Sequence, residues 1–161
     1  LLTYGEEALA DLEKGKWTDA LQRVIETNII TSGLVGGFGG QYLRVAGAHS
    51  IHNGMTSITQ AHHLLHGEKV AYGILVQLVL EGKFSEIKQL LPIYRVLKLP
   101  MTLLDIGLTV EHKAELQQIA AHSVKEGEDI HLLFPDINKE KVAAAMENLE
   151  ILTNHSSPSM D

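Results

Sequence analysis

Histidine is concentrated in one short stretch of this chain. Five of the nine histidines lie between His49 and His66, in the segments 48–54 and 62–70. Imidazole is the commonest metal ligand and the usual general acid or base near neutral pH. Since the chain has no cysteine, a transition-metal site here would use nitrogen and oxygen donors. The cluster therefore indicates chemistry at this part of the chain.

The spacing of these histidines restricts which of them share a surface. His49 and His52 are three residues apart in a predicted helix, so they lie on one face. His62 and His66 share a face if their stretch is helical, and His63 then points elsewhere. A metal site needs at least three protein ligands, so the third would be another histidine or a carboxylate. The alternative is that these are ordinary histidines bonded to their neighbours, and spacing alone does not decide between the two.

Other candidate motifs are weaker. The glycine-rich segment 36–40 could hold phosphate before a helix, but it fits no nucleotide-binding motif, which favours a flexible turn. Ser50 follows His49, yet no acid that would orient a nucleophilic pair is visible. Glu68 and Lys69 at a predicted helix start are interpreted as a cap and a solvated charge. The remaining histidines, which we expect to be structural or on the surface, are His112, His122, His131 and His155.

Composition limits the class of protein. The 161 residues suffice for one domain, and the net charge of −7 with scattered Lys and Arg argues against nucleic-acid binding. No apolar run reaches the roughly 18 residues that span a bilayer, and no signal segment opens the chain. The absence of cysteine fits a cytoplasmic protein. Because Leu1 is not an initiator Met, we expect a fragment or a processed product.

Apolar residues recur at helical spacing almost throughout the chain. This predicts one all-α domain of about seven or eight helices over residues 1–153 and a flexible tail at 154–161. We expect the helix at 68–81 to be the most buried, because its apolar positions go nearly all round. A break is predicted at 35–40, and we expect Pro92 to break its helix or to begin a new first turn. The predicted helices are 4–14, 17–28 (with Trp17, Leu21 and Val24 on one face), 44–57, 68–81, 84–97, 109–125 after an N-cap Thr109, and 138–152 after Asn138.

Several segments together resemble one enzyme family. They are Ala-His-Ser-Ile-His-Asn-Gly-Met-Thr at 48–56, His-His-Leu-Leu-His-Gly-Glu-Lys-Val-Ala-Tyr-Gly at 62–73, and 76–81. The segments 99–103 and 126–131 are also similar. The chain resembles, over most of its length, the glycerol dehydrogenase branch of the iron-containing (group III) alcohol dehydrogenases.

The resemblance implies an N-terminal α/β domain that binds NAD(P) and a C-terminal helical domain, dehydroquinate synthase-like in fold, that holds zinc or iron. An aspartate and two histidines bind the metal in that family, and the histidines match His49 and His66. The metal lowers the pKa of the substrate hydroxyl so that hydride passes to the nicotinamide. The ligand aspartate and the nucleotide-binding segment lie upstream in the family and have no counterpart here. We therefore expect weak metal binding and an inactive isolated chain.

The substrate and the role of the chain stay open at this point. Residues 36–42 fill a gap that is longer than in typical glycerol dehydrogenases and borders the substrate pocket in the family. The substrate could therefore differ from glycerol: the resemblance implies a polyol or alcohol, and the alternative is a small hydroxy acid. Other interpretations are a non-catalytic helical remnant, an interaction module, or a small helical metal-binding protein. A domain cut from a larger chain should expose apolar surface, so we expect a homo-oligomer or poor solubility.

Overall fold

The structure, a computed structural model, describes residues 1–39 and 47–154. Every regular element in these ranges is a helix, which confirms the all-α class. Eight α-helices have seven or more residues, in agreement with the predicted number. The expected tail beyond Asn154 and the segment 40–46 lie outside the described residues. The α-helices are α1 (Gly5–Glu13), α2 (Asp19–Glu26), α3 (Ser32–Phe38), α4 (Gly47–Met55), α5 (His66–Leu80), α6 (Phe84–Val96), α7 (Lys113–Ser123), the single turn α8 (Ile130–Leu133) and α9 (Lys139–Asn154).

The core lies where α4, α5, α7 and α9 pack together. Helix α5 contributes seven buried residues, more than any other helix in the described ranges. The shorter α4 has six buried residues out of nine and so buries the larger fraction of its length. The prediction that the 68–81 helix is the most buried is therefore confirmed for the number of buried residues, but not for the fraction of the helix that is buried. None of the helices in residues 1–39 and 47–154 combines the length and apolar character that crossing a membrane requires.

Small residues let α4 lie close to both of its neighbours. At Gly73 of α5, an added Cβ would press on the carbonyl oxygen of Ala48 and lie 3.0 Å from its carbonyl carbon. At Gly54 of α4, an added Cβ would lie 2.5 Å from the carbonyl oxygen of Ile119 in α7. These are backbone atoms that cannot rotate away, so larger side chains at Gly73 and Gly54 would push the helices apart.

Two helix ends agree with the local sequence. Helix α1 ends just before Gly15, whose φ of +63° is the left-handed conformation that glycine adopts without strain. Helix α9 begins after Asn138, whose Oδ1 accepts a 2.9 Å hydrogen bond from the Lys141 N–H. Both signals act within one turn of chain, which explains why the sequence alone is sufficient to place them.

The predicted break at 35–40 is wrong as far as Phe38, where the helix ends, and the predicted break at Pro92 is wrong. Residues 32–38 continue from α2 through a π-helical turn at Thr27–Thr31, so the glycine-rich stretch up to Phe38 is helical. Glycine lowers helix propensity by about 1 kcal/mol but removes no hydrogen bond, and the helix persists. Pro92 lies inside α6, which continues to Val96. Proline removes one helical hydrogen bond, and burial of Ile87 and Tyr94 on either side of it keeps the helix continuous.

Two predicted helix starts also need correction. Trp17 precedes α2 and is 70% exposed, so it does not join the face of Leu21. Thr18 caps this helix instead, with its Oγ1 accepting from the Leu21 N–H at 3.3 Å. Thr109 does not cap α7, which begins at Lys113. Its N–H donates to Nδ1 of His112 at 3.0 Å, and its Oγ1 accepts the Glu111 N–H at 3.4 Å, so its side chain bonds to a residue that precedes the helix.

Candidate metal site

The helices α4 and α5 bring the two histidine segments together. His49 and His52 lie on α4, and His66 is the first residue of α5. The close approach of the helices at Gly73 places the start of α5 beside α4. Glu68 stabilises that start, because its Oε2 accepts the Leu65 N–H at 2.7 Å. The prediction that Glu68 is a helix cap is therefore confirmed.

The three imidazole rings form one group. The ring centroids of His49 and His66 are 5.8 Å apart, and those of His52 and His66 are 4.3 Å apart. Nδ1 of His66 lies 3.0 Å from Nε2 of His52, so these rings share a hydrogen bond. The prediction that His49 and His52 share a helix face agrees with this arrangement, since both rings face His66.

The His52 ring is held on its other side by a second pair of residues. Its Nδ1 lies 3.0 Å from Oδ1 of Asn53. Nδ2 of Asn53 donates to both carboxylate oxygens of Glu128, at 3.2 and 3.1 Å. Burial is the largest influence on the pKa of His52, and it lowers that pKa. The hydrogen bond with Asn53 raises the pKa, whereas the nearby His66 and Lys69 lower it further. The net pKa lies below the usual value, which favours a neutral ring at neutral pH.

His49 and His66 also line one cavity. The cavity has a volume of about 520 Å³ and lies between α1 and α2 on one side and α5 and α6 on the other. Its wall is almost wholly apolar, with Leu9, Leu21 and Ile93 among the lining residues. The two imidazoles are thus polar groups at the edge of an apolar space. The contribution of α1 and α2 to this wall has no signal in the local sequence.

His62 and His63 have structural contacts. His63 donates from Nδ1 to the carbonyl oxygen of Gln60 at 2.8 Å, and His62 donates from Nε2 to that of Thr56 at 3.4 Å. The helical stretch that would join His62 to His66 is absent, because a 3₁₀ turn ends at His63 and extended residues follow before α5 begins. The predicted shared face of His62 and His66 is therefore wrong.

Two residues next to the candidate histidines in the sequence, Ser50 and Lys69, are buried in the protein. The Ser50 hydroxyl accepts the Ile130 N–H at 3.1 Å in a buried position, which is a structural role. Lys69 is only 8% exposed, so the interpretation of it as a solvated charge is wrong. The reason is its position on α5, where Lys69, Tyr72, Gly73 and Val76 have the three- and four-residue spacing of one buried face.

The residues present fit part of a metal site. Among the residues that the structure describes, no three histidine or acidic side chains are grouped so that they could hold a metal ion. His49 and His66 nevertheless supply two nitrogen donors, and no hydrogen bond to a ring nitrogen of His49 is found in the described ranges. A metal bound here would need at least one further ligand.

Known proteins match this chain over most of its length. Hydroxycarboxylate dehydrogenase A of Escherichia coli (strain K12) is 37% identical over 150 residues, which cover 93% of this chain and 41% of that protein. Glycerol dehydrogenase of Citrobacter freundii is 40% identical over 153 residues, which cover 94% of this chain and 41% of that protein. This chain is homologous to the C-terminal part of glycerol dehydrogenases. The resemblance inferred from the histidine segments is confirmed.

The fold supports the same relationship. The crystal structure of a probable glycerol dehydrogenase from Sinorhizobium meliloti 1021 aligns with a TM-score of 0.83 at 30% identity, covering 95% of this chain and 43% of that one. The chain therefore spans about two fifths of the length of the relatives that it matches. No protein-family model matches the chain.

The sequence did not identify Asn53 and Glu128 as partners of the histidines. They are 75 residues apart in the chain, and no local pattern connects them. A usable signal did exist, because each lies in a segment that resembles the family, 48–56 and 126–131. Two similar segments far apart in sequence would have justified testing whether they meet in the fold.

Proposed function

We propose that this chain is the metal-binding helical part of an NAD(P)-dependent dehydrogenase that oxidises a secondary hydroxyl of a polyol or alcohol. The observation that carries the proposal is the meeting of His49 and His66 at one cavity, in a chain homologous to the C-terminal part of glycerol dehydrogenases. The metal would be zinc or iron, with His49 and His66 as two of its ligands. A cytoplasmic location is consistent with the absence of cysteine.

The chain would contribute donors, orientation and exclusion of water. A bound divalent metal would act as a Lewis acid that lowers the pKa of the substrate hydroxyl. His49 and His66 would hold that ion through ring nitrogens. The apolar wall beside them would limit access of water and thereby strengthen the electrostatic interactions at the reacting hydroxyl. The nucleotide-binding part would be supplied by an N-terminal domain.

A polyol fits the cavity better than a hydroxy acid does. None of the described residues that line it is Lys or Arg, so no described side chain there would pair with a substrate carboxylate, which would be left with the proposed metal ion alone. The second candidate is a small hydroxy acid, which is favoured by the similarity to hydroxycarboxylate dehydrogenase A. The two candidates differ in the charge of the substrate, and a substrate panel separates them.

Metal binding can be tested on the 161-residue chain. Zn²⁺ is titrated into the protein in competition with a chromophoric chelator, and His49→Ala and His66→Ala are compared with His62→Ala. The first two variants should bind at least about tenfold more weakly, because each removes a proposed ligand. His62→Ala is the matched control, since His62 donates to a backbone carbonyl and should leave the affinity unchanged. Equal affinity in all four proteins would contradict the ligand assignment.

Activity can be tested in a chimera. The chain replaces the matching segment of the Citrobacter freundii glycerol dehydrogenase, and formation of NADH is followed with glycerol and with lactate. We expect oxidation of glycerol that is lost in the His49→Ala chimera. Oxidation of lactate alone would support the second candidate. A folded chimera that binds metal and NAD and oxidises neither substrate would instead favour a non-catalytic interaction module.

We also infer that the chain associates with other protein surfaces, namely an N-terminal nucleotide-binding domain and further copies of itself. Large apolar side chains are exposed along the π-helical turn and α3, with Phe38 88% exposed. A soluble monomer rarely leaves such a row uncovered. The exposed apolar residues of this row are Ile29, Ile30, Leu34, Val35 and Phe38.

A further inference from the structure

We propose that Glu128, Asn53 and His52 form a hydrogen-bonded series that fixes the tautomer of His66, with the proton on Nδ1 and the lone pair on Nε2. Asn53 and Glu128 would thus be positioning residues that act on a metal ligand without touching the metal. The importance of the series for metal binding rests on the proposed function. The tautomer itself does not, because it follows from hydrogen bonds within the chain.

The series begins at Glu128, which lies between α7 and α8. An ionised carboxylate can only accept hydrogen bonds. The Asn53 side chain must therefore direct its amide nitrogen toward Glu128, and the two contacts at 3.2 and 3.1 Å agree with this orientation. The amide oxygen of Asn53 is consequently directed toward His52. The carboxylate thus decides an amide orientation that would otherwise be ambiguous.

The next step fixes the proton on His52. The amide oxygen of Asn53 accepts only, so Nδ1 of His52 must carry the hydrogen in their 3.0 Å contact. A neutral imidazole has one N–H, and Nε2 of His52 is therefore an acceptor. Nδ1 of His66, 3.0 Å away, must then donate to it. By the same rule, Nε2 of His66 keeps its lone pair.

The position of the proton on His66 matters because a metal binds a deprotonated ring nitrogen. A histidine that ligates metal commonly donates its other N–H to a neighbouring group, which sets the ring orientation. An isolated neutral imidazole side chain favours the opposite tautomer, with the proton on Nε2. The series would therefore hold His66 ready for a ligand at Nε2 before any metal arrives. The acceptor is unusual, because it is a second histidine whose own tautomer is set by an amide.

The tautomers can be measured directly in the metal-free 161-residue chain. Long-range nitrogen–proton NMR correlations of the imidazole rings distinguish Nδ1–H from Nε2–H, and a pH of about 8.5 keeps ordinary histidines neutral. We expect the Nδ1–H form for both His52 and His66. His122, which is outside the series, provides an internal reference in the same spectrum. Detection of His66 in the Nε2–H form would overturn the proposal.

Variants of Asn53 and Glu128 test the direction of the series. Asn53→Ala removes the acceptor, so both rings should shift toward Nε2–H and Zn²⁺ affinity should fall by about tenfold, the lower end for outer-shell partners. Glu128→Gln removes the group that orients Asn53 and should give a mixture of tautomers. The double variant Asn53→Asp with Glu128→Gln exchanges carboxylate and amide without changing side-chain length. It should restore Nδ1–H on both rings, because Asp accepts from His52 and Gln donates to Asp.

Controls separate this proposal from a structural effect and from the proposed function. Glu126→Gln makes the same charge change at an exposed neighbour outside the series and should alter neither tautomer nor affinity. Failure of the double variant to restore the tautomers, with the fold intact by circular dichroism, would refute the series. If the tautomers follow the expected order but no variant changes metal binding, the series stands and the role of His66 as a ligand fails.

Discussion

Replacing Gly73 by alanine should separate the two helices that carry the candidate ligands. The new Cβ would press on the Ala48 carbonyl oxygen and lie 3.0 Å from the carbonyl carbon and 3.1 Å from Cα of the same residue. Because all three are backbone atoms, relief requires α4 and α5 to move apart. The same movement should disturb the contact between His52 and His66, whose nitrogens are 3.0 Å apart.

The size of the effect follows from two opposing contributions. Overpacking a core costs about 1–3 kcal/mol, and the upper value applies because the obstacle is main chain. Alanine returns about 1 kcal/mol through its higher helix propensity. The net loss in unfolding free energy is then about 2 kcal/mol, or about 4–8 °C in Tm at about 2–4 °C for each kcal/mol. A helix displacement of about 0.5 Å would lengthen the His52–His66 contact beyond hydrogen-bonding distance.

Urea and thermal unfolding followed by far-UV circular dichroism would measure this loss. Gly67→Ala is the matched control, because Gly67 lies in the same helix and an added Cβ would meet nothing within 4 Å. That variant should be as stable as the parent or gain up to about 1 kcal/mol. The close approach of α4 and α5 would be refuted if Gly73→Ala were stabilised as much as Gly67→Ala.

Further predictions concern buried hydroxyls, a cap and the exposed apolar row. Tyr94→Phe should lower the free energy of unfolding in urea by about 1 kcal/mol, because the Tyr94 hydroxyl donates a buried hydrogen bond. Tyr72→Phe should be neutral or stabilising, because the Tyr72 hydroxyl has no partner in the described ranges. Burial raises the pKa of Tyr94 to about 12, above its value of about 10 in the unfolded chain. The free energy of unfolding should therefore fall as the pH rises from about 10 toward 12, and it should fall less steeply in Tyr94→Phe. Asn138→Ala should lower stability by about 1 kcal/mol, measured in the same way, because α9 loses its cap. Phe38→Ser with Leu34→Ser should reduce self-association in sedimentation velocity; an unchanged distribution would show that this row is not the contact.

Local physics explains which parts of the fold the sequence could predict. The apolar spacing predicts the all-α class, because each helix places the same face on the core every three or four residues. Gly15 and Asn138 mark helix ends through interactions within a single turn. The errors at Pro92 and in the glycine-rich segment have one cause. At Pro92, the burial of neighbouring side chains outweighs the helix-weakening effect of proline. In the glycine-rich segment, continuous backbone hydrogen bonds outweigh the helix-weakening effect of glycine. Neither effect can be read from a short window of sequence.

The candidate site likewise has features that the local sequence predicts and features that depend on the tertiary structure. The segments around His49 and His66 were sufficient to indicate the family, and that resemblance implied these two histidines as metal ligands, which stays a prediction. Only the tertiary structure placed His52 in contact with His66, buried Lys69, and built the cavity wall from α1 and α2. The bond between Asn53 and Glu128 joins residues 75 positions apart. Such contacts depend on how whole helices pack, and packing is decided by the summed burial of many side chains, not by any local pattern.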